Sequence, residues 1–420
     1  MERNVKLLAL HNFFTDLKFH SAVLILYFAY ITGSYALGMS LFSVVMISSA
    51  LFEIPTGIYS DRIGRKKTLI AGSIFAFLSA VFYAIGLGYW ILFLGAIAEG
   101  VSRAFYSGNN TALLYDSLAA SEKKDVYAEI LGKTSSLFQF ALAIGAVAGS
   151  IGASWSYPLI MWLTVFPQVM CILVSLQIFE PPRIMKSEEN IYKHLGSSLK
   201  LLITHQKLRL VSLQDIFSFG INEATFQFRS AFIAVIWPLW AVGISKFLSF
   251  AGAAVSFWFS GRMIKRFGEI PSLLYARIYG RIVGLVTYGF PTLFSPVLIS
   301  TTSLFYGTVT VASDSFTQKF LSQKERATVP SIVSFFGSIF FGIFSILLGG
   351  LADLTSPAMA LLVSEILSCS TLLILWRLYT LSKSESEPPR SYTRGFYPDH
   401  KGEIPYRPAP QRHGTGTGIK

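Results

Sequence analysis

Charge is scarce in this chain. Only 14% of its 420 residues are Asp, Glu, Lys or Arg, where a soluble globular domain carries about 25%. Cysteine is nearly absent. Cys171 and Cys369 are the only two, both inside long apolar runs, so an extracellular disulfide framework is excluded. The six histidines, at positions 11, 20, 194, 205, 400 and 413, are scattered without metal-ligand spacing, which argues against a metal centre, a cofactor and an enzyme. No Gly-rich phosphate loop with its lysine occurs, so nucleotide-driven work is not expected. A selectivity-filter-like segment and a cleavable signal peptide are missing as well.

What is present is apolar length. Hydrophobic residues make up 52% of the chain, Phe alone numbers 36, and the mean hydropathy is +0.53. A membrane-spanning helix takes about 20 mostly apolar residues. Twelve candidate segments lie near 20–35, 39–59, 68–87, 90–115, 127–151, 157–178, 210–236, 245–264, 271–289, 293–316, 328–351 and 357–379. They are too long and continuous for barrel strands. The expected fold is therefore an all-α polytopic membrane protein with twelve transmembrane helices.

The net charge of +12 does not indicate nucleic acid, because its distribution is topological. Basic residues crowd alternate loops: Arg62, Arg65, Lys66 and Lys67; Lys123, Lys124 and Lys133; Arg183 to Arg209; Arg262, Lys265 and Arg266; Lys319, Lys324 and Arg326. The intervening loops hold little charge besides Lys246 and Asp353. This positive-inside pattern places both termini and the 180–209 segment in the cytoplasm of a cell-membrane protein. Residues 1–19 read as an amphipathic lead-in on the membrane surface.

Four regions follow: a six-helix bundle at 1–179, a linker at 180–209 with Pro181-Pro182 and an amphipathic stretch around 191–204, a second six-helix bundle at 210–380, and a Ser/Pro/Arg/Gly-rich tail at 381–420 that is expected to be disordered. The halves correspond. The loop Gly57-Ile-Tyr-Ser-Asp61-Arg62-Ile-Gly64-Arg65-Lys66-Lys67 has a faded copy, Gly261-Arg-Met-Ile-Lys265-Arg266-Phe-Gly268-Glu269. Asp116 and Asp314 close the fourth and tenth segments, and Cys171 and Cys369 fall in the sixth and twelfth; each pair is 198 residues apart. Three matches in order indicate internal duplication.

The run Gly57-x-x-x-Asp61-Arg62-x-Gly64-Arg65-Lys66 resembles the signature loop of the major facilitator superfamily (MFS) of transporters, and the stretches 52–57 and 107–118 look like a bacterial branch of it. The resemblance spans roughly residues 10 to 380. It implies two six-helix bundles, each of 3+3 inverted repeats, rocking about a central cavity. It implies that Gly57 permits close helix approach, that Asp61 docks at the positive end of a helix in the other half, and that Arg65 bridges Asp61 and Asp116 in a cytoplasmic latch. In the second copy, Lys265 replaces the acid and Glu269 the base. Pairing of Lys265 with Asp314 is the expected substitute. Two departures stand out. The Arg that drug antiporters carry early in the fourth helix is missing, with Arg103 a turn further on, and no Pro follows Gly145, Gly149 and Gly152 in the fifth.

Ionisable groups within a span cost about 2.5–3.5 kcal/mol on insertion scales, so they mark candidate sites. Glu53 is a candidate proton carrier or a brace beside the latch. Glu99 and Arg103 share a helix face, as a cavity pair or a self-neutralising one. Asn109, Asn110 and Thr111 read as cavity contacts or interhelical bonds. Asn222, Glu223 and Gln227 lie on the seventh helix, with Glu223 the foremost candidate for a coupling carboxylate and Arg229 on another face. Arg277 and Arg281 read as snorkelling or paired, with Glu365 a partner, and His20 as a structural histidine. The expected function is secondary transport of a small organic molecule by a monomer, coupled to protons and directed outward. Uptake of a nutrient or anionic metabolite with Arg103 as the anion contact is the alternative, and a receptor or enzyme is remote.

Overall fold

The computed structural model describes residues 2–122, 126–181, 191–322 and 325–386. Among these there is no strand. The helices run α1 Glu2–Asp16, α2 Leu24–Thr32, α3 Tyr35–Ile63, α4 Arg65–Ile85, α5 Tyr89–Tyr106, α6 Asn109–Ala119, α7 Tyr127–Ala153, α8 Tyr157–Leu176, α9 Ile191–Thr204, α10 Gln206–Ile236, α11 Leu239–Phe267, α12 Glu269–Gly289, α13 Ser295–Ser300, a 3-10 turn Thr301–Phe305, α14 Tyr306–Gln318, α15 Glu325–Leu354 and α16 Pro357–Ser386.

Twelve spans result when α1 with α2, α5 with α6, and α13 with α14 each count as one broken span, and α9 as part of the connector. The breaks have local causes. Gly108 takes a left-handed backbone between α5 and α6 (φ 68°), and the chain at 17–23 turns between α1 and α2. At that turn α7 comes so near that a Cβ on Gly145 would stand 2.8 Å from the Lys18 carbonyl oxygen, and one on Gly149 would overlap Phe19. The glycines of the fifth span thus seat the break in the first.

The duplication shows in helix lengths. A 29-residue helix, one glycine and a 21-residue helix occur in both halves, as α3–Gly64–α4 and α11–Gly268–α12. Gly64 and Gly268 have φ of 114° and 85°, a region that L side chains avoid. The turn therefore requires glycine at the same place in each copy.

Three sequence expectations change. Residues 1–19 do not lie on the membrane surface. The α1 helix is packed inside the first half, where the Asn4 amide donates to the Phe179 carbonyl at 2.8 Å and His11 bonds the Ser73 hydroxyl at 3.0 Å. The first span thus begins near residue 2, and its polar residues hid it. The final helix continues to Ser386, past the expected tail boundary at 381, and α10 begins inside the expected linker. The rest of the tail, with Lys123, Lys124, Arg183, Lys186 and Lys324, lies outside the described residues.

The apolar core is split unevenly. One buried cluster joins the halves at the end opposite the Gly57 loop and includes Tyr27, Phe28, Met39, Phe228, Phe232 and Phe341. At the loop end each half has its own cluster, one around Leu69 and Leu113 and the other around Leu273 and Val329. Large apolar side chains such as Phe166, Trp258 and Leu373 face outward, as a lipid-facing surface requires.

Candidate functional site

A cavity of about 590 Å³ lies where the halves meet. The first half contributes Asn12 and Asp16 of α1, Lys18 and His20 of the break, Tyr83 of α4, and Glu99, Arg103 and Tyr106 of α5; the second contributes Glu223, Phe226 and Gln227 of α10 with Lys246 and Phe250 of α11. Three cations and three carboxylates therefore share one space.

Glu99 is the hub. It is buried, accepts from Lys18 Nζ at 2.8 Å and from Arg103 Nη2 at 3.0 Å on the same oxygen, and takes the Tyr83 hydroxyl at 3.0 Å on the other. Arg103 remains 43% exposed, so it is not consumed by this pair. Asp16 lies within electrostatic reach of Lys18 and Arg103. Glu223 accepts from the Gln227 amide at 2.7 Å and lies within electrostatic reach of both Arg103 and Lys246. The Oδ1 atom of Asn110 and the Nδ1 atom of His20 are buried without a hydrogen-bond partner.

In sequence Lys246 reads as a sparse loop charge at the edge of the 245–264 segment; it sits two turns inside α11 and is only 5% exposed. Its Nζ donates to the Phe226 carbonyl at 2.9 Å and rests 3.6 Å from the centre of the Phe226 ring. Among the described residues no carboxylate lies within 4.0 Å of it. A cation–π contact is worth about 0.5–2 kcal/mol, while burying a charge costs several. The contacts hold the amine without neutralising it.

The other sequence candidates lie elsewhere. Glu53 is half-buried outside the cavity, 3.5 Å from the Ser107 hydroxyl. Asn109 braces the loop, accepting from Ser60 at 2.9 Å and donating to the Arg65 carbonyl at 3.2 Å. Thr111 bonds its own turn. Asn222 accepts from Arg281 at 2.7 Å, and Arg281 pairs with Glu365 at 2.6 Å. This buried pair ties α10, α12 and α16 together and excludes snorkelling for Arg281. Arg229 donates to the Tyr288 hydroxyl at 3.1 Å.

In the signature loop, Arg65 stands between Asp61 at 3.4 Å and Asp116 at 3.7 Å and donates to Ser60 at 2.8 Å. Arg62, the last-turn base of α3, and Lys66 of α4 neighbour it in sequence, and the Glu180 carboxylate caps α4 by accepting the Arg65 and Lys66 backbone N–H groups. Asp61 is 74% exposed, so in this conformation it is not docked on a helix of the other half. A Cβ on Gly57 or Gly261 would meet nothing within 4 Å; the close approach expected at Gly57 is not made here. In the second copy, Lys265, Arg266 and Asp314 are exposed, and Lys265 and Asp314 form no ion pair. Glu269 instead takes Lys319 at 2.5 Å and the Ser315 hydroxyl at 2.6 Å.

The opposite end is shut. Ser43 of α3 bonds Gly342 and Ser345 of α15 at 2.9 and 2.7 Å. Asp353, at the end of α15, caps the start of α3. Its carboxylate accepts the Ser34 hydroxyl at 2.5 Å and the Tyr35 and Ala36 N–H groups at 2.7 and 2.9 Å. In sequence, Asp353 reads only as an isolated loop charge.

Two helical bundles, a polar cavity at their junction and a seal at one end define an all-helical polytopic membrane protein built in two halves. The sequence model of the Major Facilitator Superfamily matches residues 7–340, and the chain belongs to that superfamily. It is 26% identical over 197 residues to an uncharacterised transporter of Buchnera aphidicola, covering 47% of this chain and 44% of that protein. It is 24% identical over 232 residues to multidrug resistance protein 1 of Bacillus subtilis, covering 53% and 56%. Both matches span less than two thirds of the relative's length. Among solved structures, a nucleoside transporter superposes with TM-score 0.71 at 14% identity over 90% of this chain and 99% of that one. A D-xylose–proton symporter superposes with TM-score 0.66 at 13% identity over 90% and 97%. At these identities the likeness establishes the fold.

Proposed function

We propose that the protein is a proton-coupled secondary transporter of a small organic molecule, acting as a monomer in the cell membrane with both termini and the Gly57 loop in the cytoplasm. The observation that carries this is the cavity itself. It holds intramembrane carboxylates on both halves, lies next to a shut far end, and sits above a loop end where the two cores are separate. The conformation is then inward-facing. Glu223 is the coupling carboxylate in this reading: Glu99 is held by Lys18 and Arg103, and of the two cavity acids without an ion pair among the described residues, Asp16 and Glu223, Glu223 is the one on the second half. Efflux is the direction put forward, supported by the multidrug resistance relatives and by an apolar lining with Phe138, Phe226 and Phe250. A second reading, uptake of an anionic metabolite, draws on Lys246 and Arg103.

The test is a thermal-shift screen of the purified protein against metabolites and drugs, followed by flux of the hit in proteoliposomes under an imposed pH gradient. Flux that ignores the gradient counts against proton coupling. Growth on toxic compounds with and without the gene tests the direction; unchanged susceptibility across a broad panel counts against efflux.

The signature loop works in the opposite conformation. Closing the cytoplasmic end brings Asp61 onto the other half, with Gly57 allowing the approach. Asp61→Asn should leave thermal stability of the inward-facing form almost unchanged, because exposed ion pairs contribute about 0–1 kcal/mol, yet reduce transport severely. Near-normal flux by that variant overturns the role.

A further inference from the structure

Among the described residues, the cavity contains one cation with no partner of opposite charge at contact distance. Lys18 and Arg103 share Glu99. Lys246 has only a carbonyl oxygen and a ring face, and its ammonium group carries three donors. The flanking surface is aromatic: Phe226 and Phe250 meet edge to face with centroids 6.2 Å apart, and both line the cavity. A buried cation beside an aromatic wall is complementary to a molecule with an anionic group at one end and a flat apolar body behind it. The volume of about 590 Å³ suits one drug-sized molecule.

The geometry points to Lys246 as an anion-binding subsite, so that the substrate is an amphipathic organic anion whose carboxylate, or group of like charge, takes the amine while its apolar body packs on Phe226 and Phe250. This rests on the transporter reading and narrows its substrate class. It also gives Lys246 a reason to be buried in a helix that crosses the membrane. Arg103, across the cavity and still partly exposed, leaves room for a second polar contact. The direction of transport does not enter.

The test uses the full chain in detergent, titrated calorimetrically with 2-naphthoate and its neutral isostere 2-naphthamide. Naphthoate should bind about tenfold tighter or better, the low end for a charge-assisted hydrogen bond. Lys246→Met should abolish that preference and bring the two probes to similar affinity, and Lys246→Arg should keep it. Equal binding of the two probes by the unaltered protein, no binding of naphthoate, or a preference that survives Lys246→Met each overturns the subsite. Where Lys246→Met gives no monodisperse protein, the comparison of probes on the unaltered chain decides. Failure of the subsite is separable from failure of the transporter reading. Naphthoate held at Lys246 without pH-driven flux in proteoliposomes counts against transport alone, and flux of a neutral or cationic hit with no naphthoate preference counts against the subsite alone.

Discussion

Replacing Asp353 with alanine should open the far end of the molecule. Its carboxylate caps α3 from α15, and in the proposed transport cycle α3 and α15 separate there. Charge-assisted bonds at a helix start are individually strong, but these are reached by solvent. Their joint loss is set at about 2 kcal/mol, or about 30-fold in the balance of conformations. Spin labels at Tyr30→Cys and Leu354→Cys, both exposed at the far end and on opposite halves, read the change in a background with Cys171 and Cys369 replaced by alanine. A longer-distance population should appear in Asp353→Ala. An unchanged distance distribution would remove Asp353 from the sealing mechanism. The geometry also pairs Asp353 with Asp61. Each sits near the end of one of the same two helices, and in this conformation the first is engaged with the other half while the second pairs only within its own half, with Arg65.

The larger stability effect belongs to Glu99. Glu99→Gln leaves Lys18 and Arg103 facing each other without the carboxylate that holds both. Breaking a buried pair costs about 3–5 kcal/mol; the cavity admits water to Arg103, so about 3 kcal/mol is expected. Thermal unfolding in detergent should show a clear drop, and transport should be lost. The double variant Glu99→Gln, Lys18→Met should recover part of the stability, since it removes one orphaned cation. A double variant less stable than Glu99→Gln alone would mean that Lys18 is held by something other than Glu99.

The signature loop was legible because it is local. Its glycines set a backbone turn, its charges follow one another in sequence, and its copy lies in matching register. Arg65 accordingly stands beside Asp61, four residues before it; its approach to Asp116, 51 residues on, is what the family resemblance implies and not a matter of spacing. The cavity was only half legible, for a physical reason. Seven helices among the described residues are long and apolar enough to span by composition. The helices that carry most of the cavity charge, α1, α5 and α10, are not among them. Facing a polar cavity lowers a helix's hydropathy, so the elements that build the site look least like spans. Asp16 and Lys18 therefore read in sequence as part of a surface lead-in. Lys246 reads as a charge at the edge of the 245–264 segment, although Trp237-Pro238 shortly before it marks a helix start from which position 246 falls two turns inside.

The sequence by itself determined the all-helical membrane class, the duplication, the basic face and the loop chemistry, because each depends on residues near one another or on totals along the chain. Only the tertiary structure decided which charges meet. Glu99 takes Lys18 across 81 residues, and Asp353 takes Ser34 across 319. Periodicity places each such residue on a helix, but the partner depends on how the helices pack, so the occupied seal, the unengaged latch and the unpaired lysine appear only once the two halves are set against each other.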